Sequence, residues 1–437
     1  MTTSKPILSF DNLISTARER FSLVSDLRRI ASVDYPLNDV LMSGLALFHL
    51  QCPSLLRFQK ELEEHEKTSN LATIFGVSAV PKNSQMRSAL DRVNPDEIRP
   101  LLNDIFRLVD EAKILPKFRV FNGQYLGLID GSEYFSSAKC NCPNCLEKEH
   151  AKGPITYHHQ ILQCMLAKPG LSTVFPLDSE EICKQDGHDK QDCEINAGKR
   201  LIERLRASHP HMDIIIVGDG LYSHVPFILL LRKCKFSFLL VAKPDDHVAM
   251  MDEIKCLREI GGVGKIEFAG KNGGVCRYEY ASKVPLKADC KETTNWFSYV
   301  EIDKTGKIVY QNSWVTDLSV TAKNVVGLVK AARSRWKIEN EGFNTLKNQG
   351  YHVEHNFGHG KKNLSFILFL LNLCAFFIHE ILEFCDKLFQ KVKEKLGARY
   401  AIWERIRSLF NSVILPDWNT LLHLILKKRF QIVIQPI

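Results

Sequence analysis

Two short apolar runs each end on an aspartate: Leu126-Gly-Leu-Ile-Asp130-Gly and Ile214-Ile-Ile-Val-Gly-Asp219-Gly. A brief, uninterrupted apolar run bounded by turn residues reads as a strand buried on both faces, and such strands belong to sheets covered by helices. Both aspartates then stand at the sheet edge. Burying an unpaired carboxylate costs on the order of several kcal/mol, so a cation or strong hydrogen-bond donors must accompany it. A third acid, Glu339 in Arg335-Trp-Lys-Ile-Glu-Asn, falls in a helical pattern. Two strand-end aspartates and a helix-borne glutamate supply the hard oxygen ligands that a pair of Mg²⁺ ions needs, with Mn²⁺ as a substitute. Paired ions held in this way cleave or join phosphodiesters. The three acids lie far apart in the chain and can meet only through the fold.

With 437 residues and 45% hydrophobic content, the chain is globular and long enough for two or three domains. Residues 1–117 read as a helical N-terminal region, with apolar residues at three- and four-residue spacing in Val40–Phe48 and Ile98–Val109. From 118 the pattern turns to strands at Leu126–Asp130, His159–Ala167 and Leu171–Leu177. A helix with Ala197, Leu201, Ile202 and Leu205 on one face follows, then a strand at Met212–Val217, a helix around Phe227 and a strand at Phe236–Ala242. Three strands and then alternating helix and strand is the order of an RNase H-like mixed sheet, which assigns 118–258 to the first part of such a core. Residues 259–320 hold β-rich segments separated by turns and predict an antiparallel β insertion. Residues 321–437 return to helices, as the second part of the core with a helical C-terminal region. The expected class is thus α/β.

The apolar run Leu364–Ile378 is shorter than the roughly 20 residues that span a bilayer and is closed by His379 and Glu380, so it predicts a core helix and no membrane partner. The N-terminus lacks the basic start and apolar stretch of a secretory signal, and thirteen cysteines, an odd number, fit reduced thiols in the cytoplasm. An excess of 58 Lys and Arg over 50 Asp and Glu, a formal charge of +8, favours a polyanionic partner. Residues 70–93 read as two short helices around a turn at Gly76. Met86, Leu90 and Val93 would face inward, leaving Lys82, Gln85 and Arg87 near the exposed start of the second helix, as a major-groove reader requires; an αα-corner in a helical bundle produces the same pattern.

Leu128-Ile-Asp-Gly-Ser, Gly218-Asp-Gly-Leu-Tyr and Arg335-Trp-Lys-Ile-Glu-Asn-Glu-Gly-Phe-Asn-Thr-Leu-Lys resemble the three signature regions of DDE transposases from bacterial insertion sequences, in the family whose RNase H-like core carries a β-strand insertion before the glutamate. The resemblance covers roughly 118–360. It implies that Asp130, Asp219 and Glu339 are catalytic and hold Mg²⁺, and that Tyr222 and Arg335, which match positions of the family's Asp-x-x-Tyr and Tyr, Arg, Glu, Lys patterns, whose basic members contact DNA phosphates, are both DNA-binding residues. The family's tyrosine is replaced by Ala332 and its lysine falls one position late, at Lys347, which leaves the lysine contact and a hairpin intermediate open. Glu341 is a competing ligand. The implied activity is binding of terminal inverted repeats in double-stranded DNA, as a dimer, with metal-dependent cleavage and strand transfer into a target. Alternatives are an RNase H-like nuclease that does not join ends, an inactive DNA-binding relic, and a zinc-stabilised regulatory protein.

Apart from that resemblance, Arg333, Arg335, Lys337 and Lys347 bring positive charge to the helical region of Glu339, suited to positioning a phosphate backbone. Cys140-Asn-Cys142-Pro-Asn-Cys145 with His150, and His158 and His159 nearby, is a candidate Zn²⁺ set, for which Cys140, Cys142, Cys145 and His150 are the nominal ligands; free thiols in a loop explain the same residues. His355-Asn-Phe-Gly-His-Gly-Lys-Lys could approach DNA through its glycines and lysines.

Overall fold

Strand-forming apolar runs dominate the middle of the chain, and in the computed structural model they assemble into a mixed sheet of ten strands among the described residues, which are 6–29, 33–63, 70–151, 153–184, 190–270, 273–288 and 290–427. Met1–Lys5 of the N-terminal stretch lie outside them. The strands are β1 Tyr125–Ser137, β2 Leu146–His150, β3 Gly153–Ala167, β4 Phe175–Ile182, β5 Ile214–Gly218, β6 Ser237–Val241, β7 Gly264–Ala269, β8 Val275–Pro285, β9 Thr293–Ile302 and β10 Ile308–Thr316. Their order is β2-β3-β1-β5-β6-β10-β9-β8-β7, with β4 paired to β3. The class is therefore mixed α/β, as expected.

The chain divides into two compact units that do not follow its linear segments. One comprises 116–132 and 161–342; the other comprises 1–115, 133–160 and 343–437.

In the first unit β5 lies between β1 and β6 and runs parallel to both. Leu126, Leu128 and Ile129 of β1, Ile214–Val217 of β5 and Phe238–Leu240 of β6 are 0–1% exposed, which is why these strands read as continuous apolar runs rather than alternating ones. Ala197, Leu201, Ile202 and Leu205 form the buried stripe of the helix Lys190–Ser208; each large aliphatic side chain so buried contributes roughly 1.5–3 kcal/mol. Arg204 of that helix pairs with Asp178 and Glu180 of β4, both at 2.6 Å, and locks helix to strand. β7–β10 pair antiparallel in sequence, and β10 joins β6 antiparallel. Phe297 and Trp314 stack across the β9–β10 pair at 5.3 Å and fill its buried face. The helix Val248–Glu259, which packs against β8, has no counterpart in the sequence expectation.

In the second unit the central element is the helix Leu364–Cys385. It extends past His379 and Glu380, where the apolar run of the sequence closes, and by length and composition it could cross a membrane; 94% of its most apolar window is nonetheless buried within the protein. Its neighbours are the helices Phe10–Ser22, Leu37–His49, Asn83–Leu90, Pro100–Glu111 and Lys387–Leu396. His379 forms part of this core: its ring stacks on Trp403 at 3.9 Å, and its nitrogens meet the Tyr351 hydroxyl at 2.6 Å and His49 Nδ1 at 3.1 Å.

Candidate functional sites

The parallel register of β1 and β5 runs to Leu128↔Val217. Asp219 stands just past the end of β5, whereas Asp130, expected at a strand end, lies within β1, which continues to Ser137. The two acids come close enough for Asp219 to act electrostatically on Asp130. Asp219 follows β5 directly and turns the chain: its Oδ1 accepts the N–H of Leu221 at 2.9 Å, capping the short turn Gly220–Tyr222. Asp130 Oδ1 accepts the N–H of Gly131 at 3.0 Å.

Glu339 comes from the other side of the sequence. After the helix Val325–Arg333 the chain turns at Ser334 and enters a π-helical turn, Ile338–Phe343, a wide geometry found often at functional sites. Arg335 joins the parts: its Nη1 donates to Asp130 Oδ2 at 2.7 Å and its Nη2 to Glu339 Oε1 at 2.5 Å. One guanidinium thus holds the first and third acids together.

A fourth carboxylate belongs to the group. Glu194, on the helix Lys190–Ser208, accepts the hydroxyl proton of Tyr222 at 2.9 Å. A methyl group at Gly131 would lie 3.0 Å from its carboxylate, so glycine there permits the approach. Burial above all pushes the Asp130 carboxyl up to about 7; Glu339, Asp219 and Glu194 push it the same way, and Arg335 pulls against them. Glu194 is not among the residues singled out from the sequence. Its spacing from Ala197, Leu201 and Leu205 nevertheless sets a carboxylate on an apolar helical stripe, and that was the available signal.

The residues present suit divalent cations. Four carboxylates repel one another and Arg335 pulls against that repulsion; burial, the largest cause, keeps the Asp130 carboxyl raised nonetheless. Hard oxygen ligands with excess negative charge are what Mg²⁺ or Mn²⁺ takes.

The candidate DNA-contacting residues fall in both units. Arg333 lies over Tyr310 at 4.3 Å and Tyr299 at 5.3 Å, half-exposed. Lys337 is buried and donates to the Leu171 carbonyl at 2.6 Å, so it does not contribute to a basic surface. Tyr222 requires a correction: it is fully buried with its hydroxyl committed to Glu194, packed at 4.9 Å from Phe227, and serves as a wall of the acidic cluster rather than a surface contact. In the other unit, Lys347 pairs with Glu354 at 2.8 Å. The helices Asn70–Phe75 and Asn83–Leu90 flank the turn at Gly76, with Met86, Leu90 and Val93 buried and Lys82 exposed. Gln85 donates to Asp34 at 2.6 Å, and Arg87 lines an open groove with Arg92, Lys361 and Lys362.

The cysteine and histidine set also differs from expectation. Cys142, Cys145, His159 and His359 bring their ligand atoms within 4.8 Å of one another, whereas Cys140 and His150 are exposed and lie outside the group. His150 sits at the far end of β2 and bonds Thr156 at 2.9 Å; an extended strand carries it on the order of 15 Å from Cys145. His159 replaces it because β3 returns antiparallel, with His158 opposite Leu146. Hydrogen bonds, from Cys145 first and then the histidines, hold the Cys142 thiol far below the ordinary cysteine range against the effect of burial. Among the described residues none of the thirteen cysteines forms a disulfide.

In comparisons with known proteins, no family model and no curated protein matches the chain.

Proposed function

We propose that this chain is a DDE transposase that binds the terminal inverted repeats of its own element as a homodimer, cuts the DNA there and joins the freed 3′ end to a target. The observation that carries this is the approach of Asp130, within β1, to Asp219, directly after the neighbouring parallel strand β5, with Glu339 tied to Asp130 through Arg335. The segment β4-β3-β1-β5-β6, with its antiparallel extension before Glu339, is the arrangement we read as an RNase H-like core with an insertion.

Bound among these carboxylates, paired divalent ions would activate the attacking oxygen and neutralise the leaving oxygen. The protein's own residues prepare that chemistry. β1 carries Asp130, and the neighbouring β5 delivers Asp219 into the turn that follows it. Arg335 compensates their charge in the absence of substrate and is placed to turn toward a phosphate, which guanidinium groups bind in a fork. Tyr222 and Glu194 close the inner side of the cluster.

The test uses the full-length chain and a duplex carrying the inverted repeat that flanks its gene. With Mg²⁺ or Mn²⁺ the protein should nick at the repeat boundary, and precut ends should join to a second duplex. Asp130→Ala should bind the ends with near-unchanged affinity and cut nothing. Cutting by that variant at the wild-type rate would refute the assignment; cutting without joining would indicate a nuclease, and binding without cutting by the wild type an inactive relic.

A further inference from the structure

We propose that Cys142, Cys145, His159 and His359 hold one structural zinc ion that fastens the loop before the helix Leu364–Cys385 to the β2–β3 hairpin. The site lies wholly within the helical unit and does not depend on the acidic cluster.

Its spacing is that of a tetrahedron. With Zn–S near 2.3 Å and Zn–N near 2.0–2.1 Å, tetrahedral ligands stand about 3.8 Å apart for two sulfurs and about 3.5 Å apart for a sulfur and a nitrogen. Here Cys142 Sγ and Cys145 Sγ are 3.8 Å apart, and His159 Nε2 lies 3.4 Å from the first and 3.5 Å from the second. His359 Nε2 lies 3.5 Å from Cys145 Sγ. A disulfide needs about 2.05 Å between sulfurs, so these thiols are not bonded to each other. Two sulfurs and two imidazole nitrogens form a soft to borderline set that selects zinc over Mg²⁺, and four protein ligands leave no open position, which marks a structural rather than a catalytic ion.

The surroundings hold the ligands in place. The Cys145 N–H donates to the Cys142 carbonyl at 3.1 Å, a tight turn that directs both sulfurs to one side. Cys145 and His159 are 2% and 1% exposed. The ring of Phe135 stacks on His359 at 4.5 Å. His359 leads directly into a loop whose other end is anchored by Asp91, which accepts the N–H groups of Lys361, Lys362, Asn363 and Leu364 at 2.9–3.1 Å. Zinc at one end and the Asp91 carboxylate at the other would thus fix the exposed Lys361 and Lys362 along the groove that Arg87 and Arg92 also line.

The measurement is the zinc content of the full-length chain purified from zinc-supplemented growth. One zinc per chain is expected, retained by Cys140→Ser and His150→Ala and lost by Cys145→Ser and His359→Ala. Should those last two fail to fold, the wild type decides alone: cobalt exchange should give the spectrum of a tetrahedral site with two thiolates, and a mercurial titrant should release the zinc in step with two thiols. Zinc no higher than the buffer blank, or zinc retained by a folded His359→Ala, would overturn the site. Neither readout involves DNA or cleavage, so this result and the transposase assay can fail independently.

Discussion

The two polar clusters of this protein are built on opposite principles. In the sheet unit, Asp130, Asp219, Glu194 and Glu339 gather like charges on a strand, a strand-end turn and helical segments, and Arg335 bridges two of them against that repulsion. In the helical unit, Cys142, Cys145, His159 and His359 gather two thiols and two imidazoles, with the Cys142 thiol already held far below its ordinary range by its neighbours, and they sit on a turn, a hairpin and a loop. The carboxylates are placed by strand and helix backbone together with Arg335, an arrangement that would suit ions exchanging during the proposed reaction. The soft cluster rests on a turn, a hairpin strand and a loop and would gain order from the proposed ion, which suits permanence.

That contrast can be broken by crossing the two sites. Asp219→Asn should lower Mg²⁺-dependent end cleavage by about 10³-fold or more, the scale lost when charge-stabilising groups are removed, and leave the zinc content unchanged; a simultaneous loss of zinc would show that the sites are not independent.

Arg335→Gln tests the charge balance within the sheet unit. Without the guanidinium, Asp130 and Glu339 face each other uncompensated, so chemical denaturation in EDTA should show a loss of about 2 kcal/mol, reduced below the value for fully buried pairs because Arg335 is partly exposed. Added Mg²⁺ should raise the melting temperature of the variant more than that of the wild type. Equal shifts would argue that Arg335 does not stand in for the cation.

The helical unit has its own pH sensitivity, away from the metal ligands. Burial pushes the His49 imidazole down to about 3 and His379 well below its ordinary range. Between pH 6.5 and that lower limit the unfolded chain takes up protons that the native core excludes. The stabilising contribution is therefore complete above pH 6.5 and falls with decreasing pH by at most about 1.4 kcal/mol per unit for each imidazole. His49→Gln should be less stable than wild type at pH 8, yet its denaturation midpoint should fall less steeply from pH 6.5 to 5; parallel curves would rule out His49 as the source.

The smallest effect is expected at Arg333. Stacked on Tyr310 and Tyr299 and half-exposed, it should contribute below about 1 kcal/mol to stability. Arg333→Ala should reduce the salt dependence of end binding by about one charge if that side chain also meets a phosphate. An unchanged slope would assign it to packing alone.

The apolar runs at Leu126–Ile129 and Ile214–Val217, the helical stripe Ala197–Leu205 and the antiparallel β segments were legible in the chain because periodicity and burial are local properties of a strand or helix. The same signal marked Asp130 and Asp219 as acids that close buried apolar runs, although β1 continues past Asp130 to Ser137 and only Asp219 stands at the end of its strand. It could not show that β1 and β5 are parallel neighbours, that Arg335 bridges Asp130 to Glu339, or that Tyr222 is turned inward to Glu194. Nor could it show that His359, distant in the chain, completes a cluster for which the nearer His150 is sterically unsuited. Neighbouring residues determine an element's type and the face it buries, whereas the partners of a functional side chain come from strand pairing and chain return, contacts set by the packing of the whole molecule rather than by any stretch of it.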